Sequence, residues 1–400
     1  MWGSRPVSAI ETYEIQALRN GYWQIAMAID DGRNGIGSPL TSNALELLEK
    51  KVRAAAAAQL SVPGTQAVQV LCEKTRPDGS VTVQEFLRID SQGVPARVLG
   101  LSPIRDAGPR CETPGGLLQR RSCHLIGTLL RGLLDELAVS PLELLTDERW
   151  QRRLQPHATL LASAVQKVAA LQAGGDPRAR AAALDALVEG AQKRARAAAA
   201  IAKLPELNAD GVDMLLVRIK ALGVIDGEFL SMRAMARHLR TAGSPLSKIE
   251  RLLELLMPGL SAQGVALIDR FLAGLVEAPS MVKDLLGRQP NLGTALIALG
   301  EFAEGEAPAT GKGDLAELAR RLALPLAAKR LPDTRDALWD RVISGLLSSR
   351  SLAEKIREEW PLLKAIEKDL QPHAPDSRRE ALAAAVAERK LALRRAADQA

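Results

Sequence analysis

From about residue 117 to the end of the chain, apolar residues recur every three to four positions and no sustained alternating run interrupts them. That period buries one stripe per helix and cannot line the two faces of a sheet, so this long stretch is confined to an all-helical body. Aromatic residues make up only 3% of the chain, and a core built instead from Leu, Ala, Val and Ile suits helices.

Start signals divide the body. In Ser140-Pro141-Leu142-Glu143 the serine caps, proline takes the first helical position and glutamate completes a capping box. Asp176-Pro177 and Ser244-Pro245 repeat the cap-then-proline pattern. The predicted helices lie near 117–138, 141–153, 157–173, 177–203, 210–222, 228–241, 245–257, 262–277, 280–287, 293–303, 314–323, 335–348, 351–370 and 377–396. No motif recurs from one helix pair to the next, which favours an irregular helical body over a repeat solenoid.

Strands are expected only before residue 92. In YEIQALRNGYWQIAMAI, Asn20-Gly21 separates two alternating runs. A two-residue loop there would split the apolar residues between faces. A three-residue loop Arg19-Asn20-Gly21, with Gly21 left-handed in a bulge, pairs Ala17 with Trp23, Ile15 with Ile25 and Tyr13 with Met27, keeping all of them on one side. The three-residue register is therefore the expectation. Residues 43–60 follow as a helix with Leu45, Leu48, Val52 and Ala55 on its apolar side, and a second hairpin turns at Arg76-Pro77-Asp78-Gly79. Glu14, Gln16, Gln24, Gln69, Thr82, Gln84, Phe86 and Arg88 are then assigned to an uncovered face. With one aromatic and one base, that face is poorly equipped to stack and neutralise nucleic acid.

The predicted fold class is α+β: a ββαββ head (9–92), a linker rich in proline and glycine (93–116), a first helical lobe (117–303) and a helical C-terminal lobe (314–400). A formal charge of +6 is a modest surplus for a chain of 400 residues. Three cysteines supply no disulfide framework, and the N-terminus lacks the apolar run of a signal peptide, so a reducing cytoplasmic location and no membrane span are expected.

Motifs for chemistry are sparse. GEAPATGKG (305–313) has one residue too many between its first glycine and Gly-Lys, lacks the following Ser or Thr, and reads as a linker. Cys111, Cys123 and His124 lack the paired spacing of a structural zinc site, so no metal or cofactor is assigned. His124, His157, His238 and His373 stand outside any catalytic signature, and no catalytic residue is named. Two basic groups, Lys193, Arg194 and Arg196 in one helix and Arg233, Arg237 and Arg240 in another, are the candidates for docking an acidic partner or a phosphate. The terminal helix, with Leu382, Val386, Leu391 and Leu393 on a narrow stripe, either packs home or meets a partner.

These features lead to a non-enzymatic cytoplasmic adaptor or regulatory protein of bacterial type that binds other proteins through its head and its helical body. The alternative is a nucleic-acid-associated regulator using the basic ridges between residues 193 and 240. An enzyme whose residues converge only in three dimensions ranks third.

Overall fold

The computed structural model describes residues 10–19, 22–30, 42–75, 81–90, 100–104, 106–172, 174–201, 204–208, 210–223, 226–308 and 313–398. The chain divides into two compact units, one formed by Met1–Ala202 with Arg240–Ser244, the other by Lys203–Leu239 with Pro245–Ala400. A small antiparallel sheet precedes a large helical body, as the α+β expectation requires.

The first unit contains β1 (Ile10–Arg19), β2 (Tyr22–Asp30), α1 (Ser42–Leu60), β3 (Thr65–Thr75), β4 (Val81–Asp90), α2 (Arg120–Leu129), α3 (Arg131–Leu137), α4 (Pro141–Thr146), α5 (Glu148–Arg152), α6 (Ala158–Gln172) and α7 (Pro177–Ala199). Its four strands run in the order β2-β1-β3-β4. Helix α1 covers one face, where Val52 and Ala56 pack against Tyr13, Ile15, Ala17, Val68, Val70 and Cys72.

The hairpin register corrects the sequence expectation. Arg19 pairs with Tyr22, Leu18 with Trp23 and Ala17 with Gln24, which is the register of a two-residue Asn-Gly loop. Asn20 and Gly21, and with them the left-handed conformation expected of Gly21, lie outside the described residues. A bulge in β2, with Ala26 as the extra residue opposite the Ile15–Gln16 step, then shifts the pairing, so that Ile15 meets Met27 and Tyr13 meets Ile29. Trp23 and Ile25 consequently share a face with Leu18 and Gln16, and Gln24 moves to the α1 face beside Ala17.

The premise behind the rejected register also falls, because both faces of the sheet are covered. Glu14, Gln16 and Gln69 are buried, and Ile25 packs into the core formed by α2 to α7. Helix α3 lies on β2 and helix α5 on β4. With two cores to fill, a strand that sends apolar residues both ways loses nothing to water. Phe86 is likewise on the α1 side: the β3–β4 pairing shifts beside it, between Val70 and Leu71, and its ring meets Tyr13 edge-on with centroids 5.0 Å apart. The side chains of Thr82 and Gln84 lie outside the described residues.

Two predicted helices are broken. The 117–138 stretch splits at Leu130, and 141–153 splits at Asp147, whose carboxylate accepts from Arg149 N–H at 3.1 Å and caps α5. The Ser140 capping box forms as read, with Ser140 N–H donating to Glu143 at 2.8 Å. The stretch before α2 is held to the helices: Lys167 donates to Ser102 O at 3.1 Å, and the Gln172 amide donates to Ala107 O at 2.9 Å.

The second unit is built of α8 (Gly211–Ala221), α9 (Gly227–Leu239), α10 (Pro245–Leu255), α11 (Ala262–Val276), α12 (Pro279–Leu286), α13 (Leu292–Ala303), α14 (Asp314–Ala327), α15 (Pro332–Leu346), α16 (Ile356–Ala365) and α17 (Asp376–Asp398). Helix α15 is its hub, packing on α11, α13 and α17. Trp339 is fully buried there and donates its indole N–H to Glu304 at 2.9 Å. Leu382 and Val386 of α17 are buried, and Arg389 ties that helix to Glu359 at 2.9 Å. Among the described residues no helix is long and apolar enough to cross a membrane.

Asp269 of α11 caps α15 from outside the helix, accepting from Asp333 N–H at 2.7 Å, Thr334 N–H at 2.9 Å and the Thr334 hydroxyl at 2.6 Å. Burial pushes its pKa up to about 6 against these bonds, which hold it down. The folded chain therefore keeps this proton at a pH where the unfolded chain, with an ordinary aspartate, has lost it. The stabilisation is fully present below about pH 4 and is lost as pH rises through 6, a change on the order of 3 kcal/mol. Thermal melts from pH 4 to 7 should show this fall in the wild type and a flatter profile in Asp269→Asn. Equal slopes for the two chains would show that Asp269 does not titrate in this range.

Candidate functional site

A group of charged side chains in the first unit lies between the sheet and α5. Gln69 donates to Gln16 at 2.5 Å, Gln16 donates to Glu14 at 2.8 Å, and Glu14 takes ion pairs from both Arg149 and Arg153. Burial raises the Glu14 pKa, but the two guanidinium charges and the hydrogen bonds from Arg149 and Gln16 outweigh it, so the carboxyl is held below its ordinary value. Arg152 reaches Glu73 at 2.5 Å. Helix α5 and its C-cap residue Arg153 thus set three arginines against two strand carboxylates. The lowered pKa favours the ionised form of Glu14, which suits a carboxylate held between two guanidinium groups.

The basic residues singled out in the sequence fall in both units, Lys193, Arg194, Arg196 and Arg240 in the first and Arg233 and Arg237 in the second. Lys193 is exposed and pairs with Glu189 one turn away at 2.8 Å. Arg194 is half-buried, and Arg196 is exposed with its Nε donating to Gln192 O at 3.3 Å. Arg233 is buried at 3% exposure, so it does not belong to an outward ridge. Arg237 pairs with Glu206 at 2.5 Å. Arg240 makes a two-pronged pair with Asp147, both contacts at 2.5 Å. Burial lowers the Arg240 pKa, but bonding to the fully buried Asp147 carboxylate more than compensates and holds it above the ordinary value.

Other chemistry-bearing groups are dispersed. Cys123 is buried in α2 with its thiol on Leu117 O at 3.4 Å, and Cys111 donates to Thr113 O at 3.2 Å. Among the described residues no group of three or more His, Cys, Asp or Glu is placed to hold a metal ion. Burial lowers the pKa of both His157 and His238, with the Arg251 charge adding to the effect at His238. Residues 309–312 of GEAPATGKG lie outside the described residues.

A surface that was not singled out in the sequence lies on α8. Val212, Leu215 and Ile219 face the core, while Met214 (43%), Val217 (59%) and, just past the helix end, Leu222 (37%) are exposed. The segment carrying Met257, itself 61% exposed, is held to the first turn of α8: Asp213 accepts from Ser261 N–H at 2.9 Å and from the Ser261 hydroxyl at 2.5 Å. The signal was present in GVDMLLVRIKAL, which holds more apolar residues than one stripe needs. Exposed apolar residues are ordinary when scattered, and Met214 and Val217 stand out by sharing one outward side of a single helix. Comparison with protein-family models, with curated proteins and with solved structures finds no match to this chain.

Proposed function

We propose that this protein is a non-enzymatic cytoplasmic adaptor or regulatory protein, and that it docks protein through the exposed α8 face. The observation that carries this reading is the exposed apolar pair Met214 and Val217, three residues apart on the outward side of α8. Methionine is unbranched and polarisable and adapts to varied protein surfaces. The paired states of Lys193, Arg237 and Arg240 favour protein over nucleic acid, since a cation already matched to a carboxylate has less to gain from a phosphate.

Affinity capture from lysate of the native cell, with and without nuclease, tests the proposal. The wild type should hold its protein partner after nuclease treatment, and the Met214→Glu/Val217→Glu chain should release it while keeping its helical circular dichroism. Weak binding to generic DNA or RNA at low ionic strength should vanish near physiological salt. Capture that needs intact nucleic acid and persists at about 0.2 M salt would replace this reading with the nucleic-acid regulator.

A further inference from the structure

We infer that the partner of the α8 face is a second copy of this chain, bound with the two α8 helices antiparallel across a two-fold axis. This rests on the docking reading above and adds the identity of the occupant.

The order of charge along the helix carries the argument. Asp210, Met214, Val217 and Ala221 are spaced by four, three and four residues, which places them on one side of an α-helix. Acid lies at the start, at Asp210 and Asp213; base lies at the end, at Arg218 and Lys220. A partner helix of one sign would be attracted by one end and repelled by the other. The surface that matches has the reverse order of charge around an apolar centre, and this same helix provides it when turned end for end.

In that arrangement Met214 meets Val217 of the partner subunit, and the two-fold repeats the contact. The two-fold brings like flanks of the helices together, so Asp213 comes beside Lys220 of the partner subunit, and Asp210 lies at the end where Arg218 of the partner subunit stands. Parallel pairing would instead bring acid to acid and base to base. The groups remain able to bond across the contact. Asp213 uses its carboxylate on Ser261, yet a carboxylate has about four acceptor positions. Arg218 pairs with Asp210 while keeping 40% of its side chain exposed, and a guanidinium carries five donors in all.

Sedimentation equilibrium on the full chain, from nanomolar to high micromolar concentration, tests the assignment. The wild type should form a dimer, and Met214→Glu/Val217→Glu should weaken it by about tenfold or more. Two further chains test the geometry, one carrying Asp210→Lys/Asp213→Lys and the other Arg218→Glu/Lys220→Glu. Each alone sets like charges together and should dimerise at least about tenfold more weakly than the wild type. Mixed in equal amounts, they should recover affinity as a heterodimer. Thermal melts confirm that each chain is folded.

A wild type that stays monomeric while still capturing another protein through Met214 and Val217 would overturn the second-copy assignment and leave the docking reading standing. Dimerisation and capture that both ignore Met214→Glu/Val217→Glu would overturn the two together. Folded charge-reversed chains that dimerise alone as well as the wild type, or that gain nothing on mixing, would overturn the antiparallel arrangement.

Discussion

Glu14→Ala is expected to destabilise the first unit by about 3–5 kcal/mol, among the largest effects of any single substitution in this chain. The substitution leaves two guanidinium groups without their carboxylate, and Arg153 is the more serious loss because only 6% of its side chain reaches solvent. The cost is that of uncompensated buried charge rather than of a removed attraction. Replacing all three partners, Glu14→Leu with Arg149→Met and Arg153→Met, should therefore recover much of the loss, since apolar residues of similar volume need no matching charge. Urea denaturation of the two variants at neutral pH makes the comparison. Equal instability would show that the site fails through packing instead. The same ion pairs predict an acid-sensitive unit. The Glu14 pKa is depressed in the folded state, so its stabilisation is present above the unfolded glutamate value and lost as pH falls through the folded one.

Trp23→Ala should cost a similar amount, roughly 3–5 kcal/mol, through the cavity left by a large side chain that is 6% exposed. Its ring lies beneath the Arg88 guanidinium at 5.4 Å, so a cation–π contact is lost as well. Where the damage appears is diagnostic. In the observed register Trp23 pairs with Leu18 on the face away from α1, and hydrogen exchange should rise first in α3 and α5. Faster exchange confined to α1 would mean that Trp23 packs under that helix, as a three-residue loop would require.

The helical body was legible because a helix advertises itself locally: caps at Ser140, Asp176 and Ser244 and apolar residues one turn apart suffice to place it. The sheet was legible as a set of strands, but its register depends on what lies on each side. That information is distant in the sequence. The arginines that bury Glu14 stand at positions 149 and 153, and nothing near residue 14 announces them. A polar residue such as Gln16 or Gln69 on an alternating strand reads as solvated unless its partner is known. The arginine ridge failed for a related reason. Spacing correctly put Arg233 and Arg240 in or beside one helix, but it could not reveal that Arg233 would be buried or that Asp147 awaited Arg240. The α8 surface was readable in principle, as a surplus of apolar residues, although surplus alone does not name the exposed ones.

The placement of Arg240–Ser244 in the first unit makes that unit discontinuous in the chain, and this bears on the order of events during synthesis. Asp147 is fully buried and bonds both prongs of Arg240. A ribosome that has just added Ala202 has synthesised almost the whole unit, yet the guanidinium that matches this carboxylate does not exist. Translation proceeds at about 5–20 residues per second, so the 37 residues Lys203–Leu239 impose a wait of roughly two to seven seconds. During that interval the Asp147 carboxylate lacks the guanidinium that bonds it in the folded unit. Its last piece arrives only after α8 and α9 have been made.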